Sequence, residues 1–203
     1  MTGLLITQAL NGLQLGVLLF LLAAGLTLVF GIMNFVNLAH GSLYMMGAYF
    51  AAVMVGWTGS FLLGALIAVP ATALLGFAVE QLALKGLYRR DHLDQVLATF
   101  GLILFFNELV RMIWGPSPLY MSTPPWLSGT VNLLGFTYPA YRFAIILVGL
   151  AVAVGLYWLI NRTRMGMLIR AGATHAPMVA ALGINIKALN SLVFALGAGL
   201  AGL

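Results

Sequence analysis

The stretch from Met1 to Val79 contains no Asp, Glu, Lys or Arg. A surface that faces water does not tolerate so long an uncharged apolar stretch, whereas helices surrounded by lipid require one. Over the whole chain, hydrophobic residues make up 63% and charged residues only 6%, against about 25% in a typical soluble domain. The sequence therefore predicts an integral membrane protein.

Apolar windows of about 20 residues, the length that crosses a bilayer as a helix, recur about six times. They predict an all-α, polytopic transmembrane fold with a single domain over residues 1–203. The predicted spans are residues 11–30, 36–56, 61–84, 95–114 and 142–160, and a sixth opens near Ala188. Because this sixth span is still apolar at Leu203, we expect the chain to be truncated at its C-terminus.

The segment between the fourth and fifth spans, residues 115–141, contains five of the seven prolines together with Trp126 and three tyrosines. Prolines prevent a helical crossing and aromatic side chains favour the membrane interface, so this segment is predicted to be a surface loop. Residues 131–137 alternate between apolar and polar, which favours a short extended excursion within the loop.

Basic residues indicate how the chain is oriented in the membrane. Two loops, 85–94 and 161–187, contain seven of the nine: Lys85, Arg89, Arg90, Arg162, Arg164, Arg170 and Lys187. Basic loops remain in the cytoplasm, so both loops are predicted to be cytoplasmic, and loop 115–141 and the N-terminus extracytoplasmic. The net charge of +5 therefore fits membrane topology rather than nucleic-acid binding.

Residues suited to catalysis are too few for an enzyme. With only two lysines and no G-x-x-x-x-G-K-[ST] sequence, the chain has no phosphate-binding loop for ATP hydrolysis. There is no cysteine, the three histidines are scattered, and no metal site is predicted. The chain has four carboxylates and no pair of them at mid-membrane, whereas a secondary carrier needs buried ionisable groups to bind its coupling ion. Glu108 and Arg111 have the i,i+3 spacing of an ion pair, interpreted as structural rather than as a substrate contact.

Polar residues interrupt the hydrocarbon between Gly31 and Tyr49, and no other polar cluster is evident at membrane depth. Uncompensated, each buried polar group costs roughly 2 kcal/mol, so this stretch predicts a broken segment near residues 31–42. The candidate residues for a translocation pathway or its gate are Asn34, Asn37, His40, Ser42 and Tyr44. In a helix, Asn37, Gly41 and Tyr44 would share one face. Alternatively, Asn34 and Asn37 only satisfy backbone groups at a helix break.

The second basic loop contains a predicted short helix, residues 177–182. Pro177 suits the first turn of a helix and Gly183 the position just after its end. Such a helix either offers a compact knob to a partner protein or lies at the membrane interface without a partner.

Two stretches resemble the LivH-type permeases of branched-chain amino acid ABC importers. Residues 25–49 are similar to the N-terminal signature of that family, GLTLVFGIMNFVNLAHGSLYMMGAY. Arg164-Met-Gly166, Arg170-Ala171 and the sequence AALGI at 180–184 resemble its ATPase-coupling loop. The family usually has an acidic or amide residue just before the helix start, where this chain has His175-Ala176. We therefore expect this helix to lack its normal cap, a loss of roughly 1 kcal/mol.

The resemblance implies a non-catalytic permease, half of a pathway, that pairs with a second permease subunit in a bacterial inner membrane. It implies two cytoplasmic ATPase subunits that hold ATP and Mg, an extracytoplasmic substrate-binding protein, and further helices after Leu203. The residues that it suggests for ATPase coupling are Arg170, Ala180, Leu182 and Gly183. The alternatives are a permease for urea or short amides, a secondary carrier, and a non-transporting scaffold.

Overall fold

A computed structural model describes residues 2–88, 90–133 and 136–203. Met1, Arg89 of the first basic loop, and Leu134 and Gly135 of the predicted extended excursion lie outside the described residues. The described helices are α1 (Thr2–Met33), α2 (His40–Thr58), α3 (Phe61–Val79), α4 (His92–Trp114), α5 (Ala140–Arg162), α6 (Arg164–Ala181) and α7 (Ile186–Ala201). The all-α fold is confirmed, because an apolar chain in lipid must satisfy its backbone groups within helices.

Four described helical segments are long and apolar enough to cross a membrane: Gly3–Met33, Phe61–Leu87, His92–Trp114 and Ala140–Arg162. The second of these is α3 together with the two short helical turns that follow it. The prediction of about six spans was therefore too high by this measure. Helix α2 begins at His40 rather than near 36, so its first turn is polar, and α7 has only 16 residues. A full crossing needs about 20 apolar residues.

The helix α7 packs between α1 and α3. Its residues Phe194, Ala198 and Ala201 form the main core cluster with Val29 of α1 and Leu43 of α2. Helices α1 and α7 come closest at two glycines: a Cβ atom on Gly25 would lie 2.7 Å from the carbonyl oxygen of Gly197. Backbones this close exclude any side chain at the crossing, a common feature of helix contacts in membranes.

The predicted loop 115–141 contains no α-helix among its described residues before Ala140, where α5 begins. Its extended part forms an antiparallel hairpin of β1 (Thr130–Leu133) and β2 (Phe136–Pro139). The buried side chain of Tyr138 on β2 donates a hydrogen bond to Asn11 Oδ1, 3.2 Å away. Arg142, in the first turn of α5, donates to the same oxygen at 2.8 Å. The first turns of α1 therefore lie at the same end of the molecule as this loop. Asn11 therefore lies inside α1, which begins at Thr2 rather than near residue 11.

The C-terminal end of α3 meets the N-terminal part of α7. After α3 the chain makes one π-helical turn, Glu80–Leu84, and one 3₁₀ turn, Lys85–Leu87. Gln81 Nε2 donates to Ser191 Oγ of α7 at 2.7 Å. This contact brings the predicted basic loops 85–94 and 161–187 to one end of the molecule. Most of the second loop is not a loop, because α6 covers Arg164–Ala181.

Candidate translocation and coupling sites

The predicted break between the first two spans is present, and Asn34 ends α1. Its φ of +46° is left-handed, the only positive φ of a non-glycine residue among those described. The backbone N–H of Asn34 donates to the Phe30 carbonyl oxygen at 2.9 Å. Asparagine tolerates the left-handed region better than most residues, which explains its place at a helix end. Its side chain is exposed.

Asn37 organises the turn that leads into α2. Its Oδ1 accepts a hydrogen bond from the Ala39 N–H at 3.1 Å, and its side chain is only 3% exposed. Tyr44 is 51% exposed. The prediction that Asn37 shares a helical face with Gly41 and Tyr44 was therefore wrong, because Asn37 precedes the helix and points into the protein. Its Oδ1 bond is the backbone-satisfying role that the alternative interpretation assigned to it.

His40, the first residue of α2, turns its ring onto α1. Its Nε2 lies 3.2 Å from the carbonyl oxygen of Leu22, which is 11 residues before the end of α1 at Met33. At 1.5 Å per residue, the chain has turned back about 16 Å along α1. Helix α2 thus begins beside the middle of α1. The side chain of Ser42 is also buried in this region.

Two buried nitrogen atoms at the break have no hydrogen-bond partner among the described residues, Asn37 Nδ2 and His40 Nδ1. A carbonyl oxygen only accepts, so a neutral His40 ring carries its proton on Nε2 and has a free lone pair on Nδ1. The break therefore offers one donor and one acceptor. Of the five candidate pathway residues, Asn37, His40 and Ser42 are buried and Asn34 and Tyr44 are exposed.

Gln95, in the first turn of α4, hydrogen bonds to the broken segment and was not predicted as a functional residue. Its Oε1 accepts from the Val36 N–H at 3.3 Å, and its Nε2 donates to the carbonyl oxygens of Leu87 and Arg90 at 3.4 and 3.1 Å. One buried amide thus ties the broken segment to the first basic loop and α4. An amide in the first turn of an apolar span was the only signal in the sequence.

A second buried polar cluster centres on Glu80, which corrects the expectation that residues 31–49 hold the only one at membrane depth. Glu80 is 1% exposed and accepts hydrogen bonds from Tyr88, Gln81 and Ser191. The signal was an acidic residue within the third predicted span. Burial, and then the acceptor Glu80, raise the pKa of the Tyr88 hydroxyl well above its usual range, so it remains a proton donor.

The predicted coupling helix is the second half of the kinked helix α6. His175 has non-helical angles, φ −154° and ψ 77°, and its Nδ1 accepts from the Met178 N–H at 3.3 Å. This is the geometry of an N-cap, in which a side chain accepts from the third residue of the helix. The expectation that this helix lacks a cap was therefore wrong, because the imidazole ring supplies the acceptor.

The same helix ends at Ala181, and Gly183 follows its end, as the sequence predicted. Gly183 has φ +86°, its N–H donates to Ala180 at 3.0 Å, and the Ile184 N–H donates to Val179 at 3.4 Å. These two bonds form a Schellman motif, which requires a left-handed residue. Leu182 beside it is 77% exposed, and Ala180 is exposed as well.

Arg170 lies on the first half of α6 and faces back to α5. Its guanidinium donates to the carbonyl oxygen of Ile160 in the last turn of α5. A cation at a helix C-terminus satisfies an otherwise free carbonyl and interacts favourably with the helix dipole. Arg170 therefore links the first half of α6 to the end of α5.

The predicted ion pair of α4 is confirmed, with Arg111 and Glu108 3.5 Å apart and both side chains mostly exposed.

Residues 8–203 match the family described as branched-chain amino acid transport system, permease component.

The chain is 29% identical over 206 residues to the high-affinity branched-chain amino acid transport system permease protein BraD of Pseudomonas aeruginosa. It is 28% identical over 206 residues to the protein of that description named LivH in Escherichia coli K12. Each alignment covers 96% of this chain and 67% of the relative. The probable branched-chain amino acid transport permease protein LivH of Methanocaldococcus jannaschii is 26% identical over 197 residues, 91% of this chain and 60% of that protein. No solved structure matches the chain.

Proposed function

The chain belongs to the family of permease components of branched-chain amino acid transport systems, and we propose that it forms half of the pathway of an ATP-driven importer for branched-chain or related amino acids. The observation that carries this proposal is the match over residues 8–203, which includes both the break after α1 and the kinked helix α6. The names of the bacterial relatives support the substrate class.

We infer that the partners are a second permease subunit, two cytoplasmic ATPase subunits and an extracytoplasmic substrate-binding protein. ATP and Mg then bind to the ATPase subunits, since this chain has no phosphate-binding loop. The proposed location is a bacterial inner membrane, with loops 85–94 and 161–187 in the cytoplasm and loop 115–141 outside. Two sets of contacts support this arrangement. One brings the two basic segments together, and the other joins Asn11 to loop 115–141.

We assign the candidate pathway residues to two roles. Tyr44 and the exposed Gly41, on one face of α2, line the pathway together with Asn34. Asn37, His40 and Ser42 are buried and hold the break that keeps this face open. A neutral or zwitterionic solute then meets an amide and a phenol hydroxyl rather than a fixed charge.

We assign coupling to the exposed end of α6. Ala180, Leu182 and Gly183 form a small apolar knob whose shape is fixed by the Schellman motif. Arg170, on the first half of α6 before the kink at His175, joins this helix to α5 through the Ile160 carbonyl. An ATPase subunit that contacts the knob could then tilt α5 and α6 together.

Reconstitution of the complete complex in proteoliposomes tests this function. The cognate binding protein is loaded with leucine, isoleucine or valine, or with urea or acetamide, and ATP hydrolysis and uptake are measured together. We expect branched-chain amino acids to stimulate both. Stimulation by urea or acetamide alone would overturn the substrate class. Uptake driven by a proton gradient without ATP would identify a secondary carrier, and an assembled complex with no stimulation would indicate a scaffold.

A further inference from the structure

The carboxylate of Glu80 is held by three neutral donors. Tyr88 Oη donates to Oε1 at 2.6 Å, and Ser191 Oγ and Gln81 Nε2 donate to Oε2 at 2.7 and 2.9 Å. Because Glu80 is 1% exposed, water does not replace a donor that moves away. An unsatisfied buried acceptor is costly, more so for a charged group, so these contacts persist or change together.

The three donors come from segments with different roles. Gln81 is on the same π-helical turn as Glu80, Tyr88 follows the 3₁₀ turn, and Ser191 is in the second turn of α7. Helix α7 begins at Ile186, a few residues after the apolar knob at 180–183. A movement of the knob therefore reaches Ser191 through one short turn and the start of one helix.

On its other side, the cluster reaches the break. The Tyr88 ring packs edge-on against Phe35, with ring centroids 5.5 Å apart and planes at 80°. Phe35 is completely buried and lies in the segment between α1 and α2. Contacts thus continue from Ser191 through Glu80 and Tyr88 to Phe35.

The local backbone is also unusual. The turn Glu80–Leu84 has π-helical hydrogen bonding, a rare conformation that occurs often at functional sites. Neighbouring residues of an α-helix point about 100° apart, yet Glu80 and Gln81 both hydrogen bond to Ser191. The widened turn coincides with this convergence of two side chains on one hydroxyl.

We propose that Glu80 is a positioning residue that couples movement of the α6–α7 segment to the break at residues 34–39. This inference rests on the proposed importer function, because it assigns a transmission step within that cycle. Displacement of α7 moves the Ser191 hydroxyl, the carboxylate and Tyr88 follow, and Phe35 shifts the segment that carries Asn37. Packed hydrogen-bonded clusters switch between discrete arrangements rather than deforming continuously, which suits such a step.

The variants Ser191→Ala and Tyr88→Phe test the proposal, since each removes one hydroxyl and leaves the rest of the cluster in place. The complete complex is reconstituted in proteoliposomes, and the solute imported per ATP hydrolysed is measured. We expect this ratio to fall at least about fivefold in each variant, the lower end of typical coupling effects. The double variant should lose little more than the worse single variant, because both act on one relay.

Thr72→Val is the matched control. Thr72 is fully buried on α3, two turns before Glu80, and among the described residues its hydroxyl donates within its own helix, to Ala68 at 2.8 Å. Thr72→Val should leave the transport ratio unchanged even if it lowers the yield of complex. A purely structural role for Glu80 would likewise lower only the yield.

The outcomes separate this inference from the proposed function. If the wild-type complex takes up amino acids with ATP and both cluster variants keep its transport ratio, the coupling role of Glu80 is overturned and the importer function stands. If the wild-type complex shows no ATP-dependent uptake, the importer function itself fails. ATP-independent uptake that follows a proton gradient and is abolished by Glu80→Gln would overturn both.

Discussion

The ring nitrogen Nε2 of His40 lies 3.2 Å from the carbonyl oxygen of Leu22, in the middle of α1. This contact joins the first residue of α2 to α1. The glycine at position 25 leaves room for the ring, since a Cβ atom there would lie 3.0 Å from Nε2. The His40 ring therefore occupies space that is open because Gly25 has no side chain.

Replacement of His40 tests this relationship. His40→Phe keeps a ring but removes the donor, so we expect the free energy of unfolding to fall by roughly 1–2 kcal/mol. His40→Gln retains a donor and should lose less. Equilibrium unfolding in bicelles measures both, and equal stability of His40→Phe and the wild type would contradict the role of the bond.

The crossing of α1 and α7 predicts a strong effect of one added methyl group. Gly25→Ala would press against the Gly197 backbone, and we expect a loss of roughly 1–3 kcal/mol, as for other overpacked sites. Gly12→Ala is the control, because nothing lies within 4 Å of a Cβ atom there. It should be neutral or slightly stabilising, since alanine favours helix more than glycine. Thermal unfolding of the two variants would disprove the close crossing if they behave alike.

Asn37 allows its two atoms to be tested separately. Asn37→Ser keeps a side-chain acceptor for the turn but removes Nδ2, the buried donor without a partner among the described residues. Because we assign Asn37 to holding the break, we expect the Asn37→Ser complex to assemble and to take up solute as the wild type does. Asn37→Leu removes the acceptor as well, so we expect loss of assembled complex. Gel filtration and uptake assays report the two effects, and loss of uptake by an assembled Asn37→Ser complex would contradict this role and assign Nδ2 to the passing solute.

The knob at the end of α6 predicts distinct effects of two neighbouring residues. Leu182→Ser leaves the backbone intact and removes an exposed apolar side chain, so we expect it to weaken co-purification of the ATPase. Gly183→Leu forces a side chain into the left-handed region, which costs about 1–2 kcal/mol of conformational free energy. We expect this variant to distort the end of the helix and also to lose association with the ATPase.

Gly183→Asn is the control for this pair, because asparagine accepts the left-handed conformation and should keep the association. A full complement of ATPase bound to Leu182→Ser would rule out the proposed contact.

Three residues show why polarity along the sequence does not predict where a helix begins or ends. Asn11 looked like the boundary of the first span, but Tyr138 and Arg142 satisfy it inside the helix. Asn37 looked helical, but its side chain caps a turn. His175 was not expected to cap the helix that follows it, yet its ring accepts a hydrogen bond from the Met178 N–H. In each case the partner of a polar atom, rather than its polarity, decided the outcome.

The sequence by itself determined that this is an all-α, multi-pass membrane protein with a break near residues 31–42 and a short helix before Gly183. Those features follow from local properties: uninterrupted hydrocarbon, clustered polar residues, and glycine and proline at positions that require them. Only the tertiary structure decided that α7 packs against α1 at Gly25, that His40 reaches Leu22, and that Glu80 joins α7 to the break. Such contacts connect positions 18 to more than 100 residues apart, and hydropathy carries no information about which distant partner a buried polar group will find.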